Sequence, residues 1–412
     1  MWERPELVTP VQNWSVLKLG ESLGNAIYFG VQQYNMRKNA QNFKRTDFKD
    51  IIEFCHNQKP SQKVYLCTNI LIYDSELMEL EDLICEAKDA EIDAVIVHDL
   101  AAIQIAKKHN MKFHISTQAN VSNIEAARFY ENIGAERIIL ARELSLKQIS
   151  AIKNQLKKTE IECFIHGAMC SSISGRCYFS ATVCDDEKFS ANRGNCIQPC
   201  RRQWRVIDDE NNEFIYDGQM FLNAKDLCMI EYIPELIESK IDAFKIEGRM
   251  KDSIYVKTVA KCYQEAINSY FNGTYTKVKV IDWLKRLSKV YNRGFHTGFY
   301  FGRPTIDDIE LEQRGNISLY KKQYLGKVIA FDNRSKSANV LIENQQLILR
   351  VGDEIIISGP HTYHIEKIKK IIINGEKIKK IGGPDYKSPV KINIPLTVET
   401  APNDKIYIIS KT

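Results

Sequence analysis

The sequence predicts an α/β protein: a TIM-like (β/α) barrel, intact or distorted, with a cysteine-rich insertion and a small all-β barrel domain behind it. Three observations carry that reading. Short β-branched runs alternate with helix-length amphipathic stretches, the rhythm of β-α units around a parallel sheet. Polar residues recur where the predicted strands end, the face on which β/α barrels assemble their chemistry. From Asn316 onward the helices stop, and short strands with turn signals follow about every ten residues.

In chain order, strands are predicted at Leu7 to Pro10, Ala26 to Gly30, Val64 to Thr68, Ala94 to His98, Phe113 to Thr117, Arg137 to Ala141, Cys163 to Gly167 and Ala243 to Gly248. Helices such as Glu76 to Asp89 and Leu146 to Lys157 separate them. Met220 to Asn223 reads as a ninth strand or a replacement for one of the eight. An open doubly wound sheet has the same alternation, but the polar strand ends favour closure: Asn69, His98 with Asp99, Thr117 with Gln118, Arg142 with Glu143, His166, and Glu247 with Arg249. Helix capping accounts equally well for Asp99 and Ser145.

Between His166 and Met220 the rhythm breaks into a long segment rich in Cys, Asn, Gly and Arg, without helical periodicity. Long irregular insertions in compact domains are usually functional. Within it, Gln203 to Ile207 and Glu213 to Tyr216 read as a hairpin. Helices follow around Tyr255 to Phe271 and Asp282 to Tyr291, and the composition changes near Arg303-Pro304. The predicted domains are therefore residues 1–304, with an insertion at about 166–228, and residues 316–412. The second domain is expected to contain strands at Lys327 to Phe331, Asn339 to Ile342, Glu354 to Ser358, Thr362 to Ile368, Pro389 to Ile394 and Lys405 to Ile409.

The 412 residues, 44% hydrophobic and 26% charged, suffice for one large domain and a smaller one. No apolar run approaches 18 residues, and the start MWERPELVTP has no charged segment before an apolar one, so a cytoplasmic protein without membrane contact is expected. The net charge of +5 is uneven. Residues 316–412 hold 16 Lys and Arg against 9 Asp and Glu, a surplus of +7 that leaves −2 for the remainder. Such an end fits a domain that docks on a polyanion such as RNA, although lysines on edge strands also serve to prevent aggregation.

Of eleven cysteines, Cys163, Cys170, Cys177, Cys184, Cys196, Cys200 and Cys228 fall within 66 residues. Cys55, Cys67, Cys85 and Cys262 sit in apolar patterns and read as core. Thiolate groups bind soft metals, and the irregular spacing suits an iron–sulfur cluster better than the close pairs of a zinc site. Arg176, Arg193, Arg201 and Arg202 lie among these thiols, where positive charge offsets thiolate charge.

The segments CFIHGAMCSSISGRCYFS, ANRGNCIQPCRRQW, FLNAKDLCMI and DAFKIEGRMKDSIYV together resemble the collagenase-like peptidases, peptidase family U32. ELVTPVQNWSVLKL, AIYFGVQQYNMRKNAQNF and NRGFHTGFYFG are similar to the same family, so the resemblance spans roughly residues 5–303, and the basic domain looks like the family's C-terminal domain. Despite the name, the family includes prephenate-dependent tRNA uridine hydroxylases, an rRNA cytidine hydroxylase and oxygen-independent ubiquinone hydroxylases. The resemblance is strongest to the tRNA branch. It implies hydroxylation of the wobble uridine with prephenate as hydroxyl donor, and a [4Fe–4S] cluster held by Cys170, Cys177, Cys196 and Cys228. Cys200 competes with Cys196 for the third place.

Within that resemblance, Arg176, Arg249 and Lys245 are candidates to hold the acidic groups of a substrate, and His166 and Glu247 to transfer protons. Each has a structural alternative: a strand-end histidine, or an internal Glu247–Arg249 ion pair. A peptidase remains the alternative function, although neither HExxH nor GxSxG occurs in the sequence. Hydroxylation of rRNA or of a small aromatic acceptor, and noncatalytic RNA binding with a structural cluster, are further alternatives.

Overall fold

The computed structural model describes residues 3–174, 176–214, 222–318, 320–344, 346–383 and 389–411. These divide into two compact units, one of residues 1–12 and 19–317, the other of residues 13–18 and 318–412.

The first unit is a closed barrel. Its eight strands are β1 Glu6–Pro10, β2 Ala26–Phe29, β3 Lys63–Thr68, β4 Ala94–Val97, β5 Phe113–Ile115, β6 Arg137–Ile139, β7 Glu160–Ala168 and β8 Ala243–Ile246. Each pairs in parallel with the next, and β8 closes the ring by pairing with both β7 and β1. All eight predicted strands are present. Strands covered on both faces read as continuous apolar runs, and β2 and β4 are buried along their whole length. The surrounding helices present one apolar stripe inward: Phe48, Ile51, Ile52 and Cys55 on the helix Phe48–His56 are all buried, at the i, i+3, i+4, i+7 spacing of a packed helix face.

The barrel interior departs from the usual branched apolar filling. Arg137 on β6 is 2% exposed and reaches Glu6 on β1 at 2.7 Å and Glu160 and Glu162 on β7 at 2.5 and 3.1 Å. Lys245 on β8 binds the other oxygen of Glu162 at 2.6 Å. Four strands are thus tied by one buried ionic network. Burial alone would raise the Glu6 pKa, but Arg137 and Lys63 pull it down to about 2.

The short strand Asp226–Cys228 runs antiparallel to the end of β7, and Phe295–His296 lies beside it. The expected strand Met220 to Asn223 falls partly outside the described residues, and Asn223 is not in a strand. The hairpin forms as Val206–Ile207 against Glu213–Phe214; Ile215 and Tyr216 lie outside the described residues. The insertion is more ordered than its sequence suggests, with a helix at Phe179–Cys184 and three 3-10 turns. Asp99 and Ser145 are helix caps, accepting from the Ala101 and Gln148 amides. No helix among the described residues is long and apolar enough to cross a membrane.

In the second unit an eight-stranded antiparallel sheet runs in the order Tyr363–Lys367, Glu354–Ser358, Lys405–Lys411, Tyr320–Asp332, Ser337–Ile342, Val390–Pro395, Ile371–Ile373 and Glu376–Ile378. Its core is aliphatic, with Leu325, Val340, Ile355, Ile357, Ile394 and Ile406 at 1% exposure or less. The N-terminal piece joins this unit through the Ser15 amide, which donates to the Pro360 carbonyl at 3.0 Å. All six predicted strands are found. Ile371–Ile373 and Glu376–Ile378 were not anticipated, yet Asn374 and Gly375 between them both have positive φ, the Asn-Gly hairpin turn.

Candidate functional site

The site is built where β7 leaves the barrel. Gly167 has φ +106°, and a Cβ there would lie 2.3 Å from the Glu247 carbonyl oxygen, so only glycine lets β7 pass this close to the end of β8. The chain then runs out over the C-terminal ends of the strands, and Cys170 emerges exposed.

Arginines pin the insertion there. Arg142, after β6, donates from Nη2 to Ser174 Oγ at 3.0 Å. Arg201 is 7% exposed and donates to Asn223 Oδ1, the Ala224 carbonyl and the Met169 carbonyl at 2.7–2.9 Å. The Cys177 amide donates to Asn192 Oδ1 at 3.0 Å, and the Ile197 amide to Ser180 Oγ at 3.0 Å. Gly194, at φ +84°, sits against the Asn35 carbonyl, where a Cβ would approach to 2.3 Å.

These contacts enclose a cavity of about 140 Å³ lined by Cys170, Cys177, Cys196 and Cys200. Among the described residues its charged lining consists of Arg37, Arg142, Arg176 and Arg201, with no carboxylate. Burial pushes the thiols of Cys196 and Cys200 up, and the neighbouring thiols add to this. Among the described residues, no three His, Cys, Asp or Glu side chains are grouped to hold a metal ion. Cys196 and Cys200, rivals for one place in the sequence, both line the cavity. Cys228 is not among the lining residues: it is 6% exposed on the strand opposite His166, with its Sγ 3.8 Å from the Tyr263 hydroxyl and its thiol pushed up to about 12 by burial.

A second cavity of about 40 Å³ opens in the barrel mouth, lined by Tyr28, Asn69, Lys245, Glu247 and Arg249 among others. It shares Met36, Arg37 and Gln118 with the thiol-lined cavity. Arg37 Nε lies 3.2 Å from Glu247 Oε1. Burial alone would raise the Glu247 pKa, but Arg37, Arg249 and Arg142 outweigh it and hold the carboxyl below its ordinary range. Arg249 is 2% exposed and anchors the loop after β2, donating to Asn35 and, at 3.2 Å, to Asn42 Oδ1. Lys245 is committed to Glu162 and lies 3.9 Å from the centroid of the Tyr28 ring.

His166 lines neither cavity. Its ring is enclosed by Tyr255, Tyr263 and Phe295, with centroids 5.5–6.0 Å away, and burial pushes its pKa down to about 4. Arg176 is exposed at the edge of the thiol-lined cavity. Of the four cysteines read as core, Cys55, Cys67 and Cys262 are buried and Cys85 is half-buried. Arg37 was missed in the sequence. It stands in the loop after β2, eight residues beyond Phe29, so the strand-end rule applied elsewhere does not reach it.

A family model described as "Peptidase family U32" matches residues 18–310. The chain belongs to peptidase family U32. Among its relatives is an uncharacterized protease of Methanocaldococcus jannaschii, 39% identical over 99% of this chain and 98% of its own length. A collagenase of Porphyromonas gingivalis is 35% identical over 98% of both chains. A protein of Bacillus subtilis named tRNA hydroxylation protein P1 is 34% identical over 89% of this chain and 87% of its own. The family thus carries both peptidase and RNA-hydroxylation names among proteins similar along nearly their full length.

Proposed function

We propose that the chain is an RNA-modifying enzyme that hydroxylates the wobble uridine of tRNA without molecular oxygen, with prephenate as hydroxyl donor and a [4Fe–4S] cluster as cofactor. The observation that carries this reading is the cavity over the barrel mouth, with four thiols, four guanidiniums and no carboxylate in its wall among the described residues. The similarity to a protein named for tRNA hydroxylation supports it.

The donor set fits the cluster in kind, because thiolates are the ligands such clusters take and the guanidiniums offset their charge. Cys170, Cys177 and Cys196 would hold it, with Cys200 as the fourth ligand, since Cys200 shares the cavity and Cys228 does not. When bound, the cluster supplies electron-transfer or Lewis-acid chemistry.

The protein's own groups do the rest. Arg37 and Arg176 offer bidentate donors to the carboxylates of the donor molecule or to RNA phosphate. Glu247, kept ionised, fixes Arg37 and accepts a proton at its carboxylate oxygens. Arg249 positions the loop that carries Arg37. His166, neutral and walled in by aromatic rings, supports β7. The surplus of +7 in residues 316–412 supplies phosphate contacts.

The deciding experiment is nucleoside mass spectrometry of tRNA from a strain lacking the gene. Loss of wobble uridine hydroxylation, restored by the gene, is expected; unchanged hydroxylation overturns the reading. The collagenase name of a relative favours a second reading, a peptidase. Colourless protein that cleaves gelatin would support it, whereas anaerobically purified brown protein inert towards gelatin supports the hydroxylase.

A further inference from the structure

Three large apolar side chains stand in solvent on segments that form the wall of the thiol-lined cavity. Tyr178 is 70% exposed, Ile173 54% and Met250 50%. Ile173 and Met250 line the cavity, and Tyr178 sits between two of its lining residues, Cys177 and Phe179. One exposed apolar side chain needs no explanation, but a group of them at a single opening marks a binding edge.

The local structure accounts for the exposure. Phe179 lies against the Trp204 ring at a centroid distance of 5.4 Å, and Trp204 Nε1 donates to the Pro199 carbonyl at 2.8 Å. With Phe179 anchored, the residue just before the helix Phe179–Cys184 is left outside. Two residues earlier Arg176 lines the same cavity, and among the described residues its guanidinium has no hydrogen-bond or ion-pair partner. The opening therefore offers an exposed aromatic side chain near an uncommitted cation, beside a cavity whose charged lining among the described residues is entirely guanidinium.

The geometry points to a base-stacking subsite: Tyr178 is the platform for an unpaired base of the RNA substrate, Arg176 takes the flanking phosphate, and the next nucleotide faces the mouth of the cavity. An unpaired base brings a π-face and its backbone brings a charge, the two features this edge can meet. Duplex RNA hides its base faces and gains nothing from the ring. The subsite rests on the RNA-hydroxylase reading above.

The test uses the full-length protein and a stem–loop RNA whose unpaired loop carries 2-aminopurine beside a uridine, with the fully paired duplex as control. Tyr178→Ala is expected to bind the stem–loop about 5- to 150-fold more weakly than wild type and to lose the fluorescence quenching of the stacked base. Tyr178→Phe, which keeps the ring, is expected to retain both affinity and quenching. Duplex binding should be equal in all three. Wild-type affinity and quenching in Tyr178→Ala would overturn the subsite and leave the RNA reading standing. Wild-type protein that binds no RNA would overturn both.

Discussion

Arg37 Nε lies 3.2 Å from Glu247 Oε1, and Arg37 belongs to the walls of both cavities. The pair therefore stands where the barrel mouth meets the thiol-lined space. Arg37 comes from the loop after β2 and Glu247 from the residue after β8, so neither strand alone fixes the guanidinium; the carboxylate across the mouth does.

Glu247→Gln removes the charge that orients Arg37 while keeping its shape. Hydroxylated wobble uridine in cells carrying this variant is expected to fall on the order of 10²-fold, the scale of a catalytic group held out of place. Nucleoside analysis beside a melting curve measures it. A variant that melts as wild type does and modifies tRNA normally would rule out this role.

Cys200→Ser is expected to lose iron as fully as Cys196→Ser, because both thiols line the same cavity. Cys228→Ser should keep its iron, since that side chain is buried against Tyr263. Iron and acid-labile sulfide assayed after anaerobic purification decide between the two; loss of iron in Cys228→Ser with retention in Cys200→Ser would reverse the proposed ligand set.

Glu162→Gln leaves Arg137 and Lys245 buried without their shared carboxylate. Breaking a buried charge pair from one side costs about 3–5 kcal/mol. Urea denaturation should report a loss of that size, and a loss below about 1 kcal/mol would show that the network is dispensable.

Acid should weaken the barrel through Glu6. Its folded pKa of about 2 lies below the ordinary 4.5, so its contribution is complete above about pH 4.5 and is lost as the pH falls from there towards 2. Urea midpoints measured between pH 6 and 3 should fall with a shallower slope in Glu6→Gln, which has no such carboxylate. Equal slopes in the two proteins would assign the acid sensitivity elsewhere.

Much of this architecture is legible in the chain. Buried parallel strands are nearly uniformly apolar and helices carry a 3.6-residue stripe, so all eight barrel strands and six strands of the second unit can be read directly. Short strands such as Asp226–Cys228 and Lys380–Gly382 lack the β-branched run that marks the equally short β6, although the Asn374-Gly375 turn is a local signal that marks its hairpin. The helix Phe179–Cys184 also escapes, being too short to show a face.

The site divides along a different line. The sequence by itself determined the residue types, a thiol-rich insertion among arginines, and the end of the barrel on which they sit. Which of those residues meet was decided only by the tertiary structure. Cys200 lines the same cavity as Cys170, Cys177 and Cys196 while Cys228 lies against Tyr263, Lys245 is consumed by Glu162, and Arg37 rather than Arg249 faces Glu247 at ion-pair distance. The physical reason is that strand-end and loop side chains are placed by partners far away in sequence. Arg201 closing on Met169 and Ala224, or Gly194 against Asn35, leaves no periodic trace in the chain.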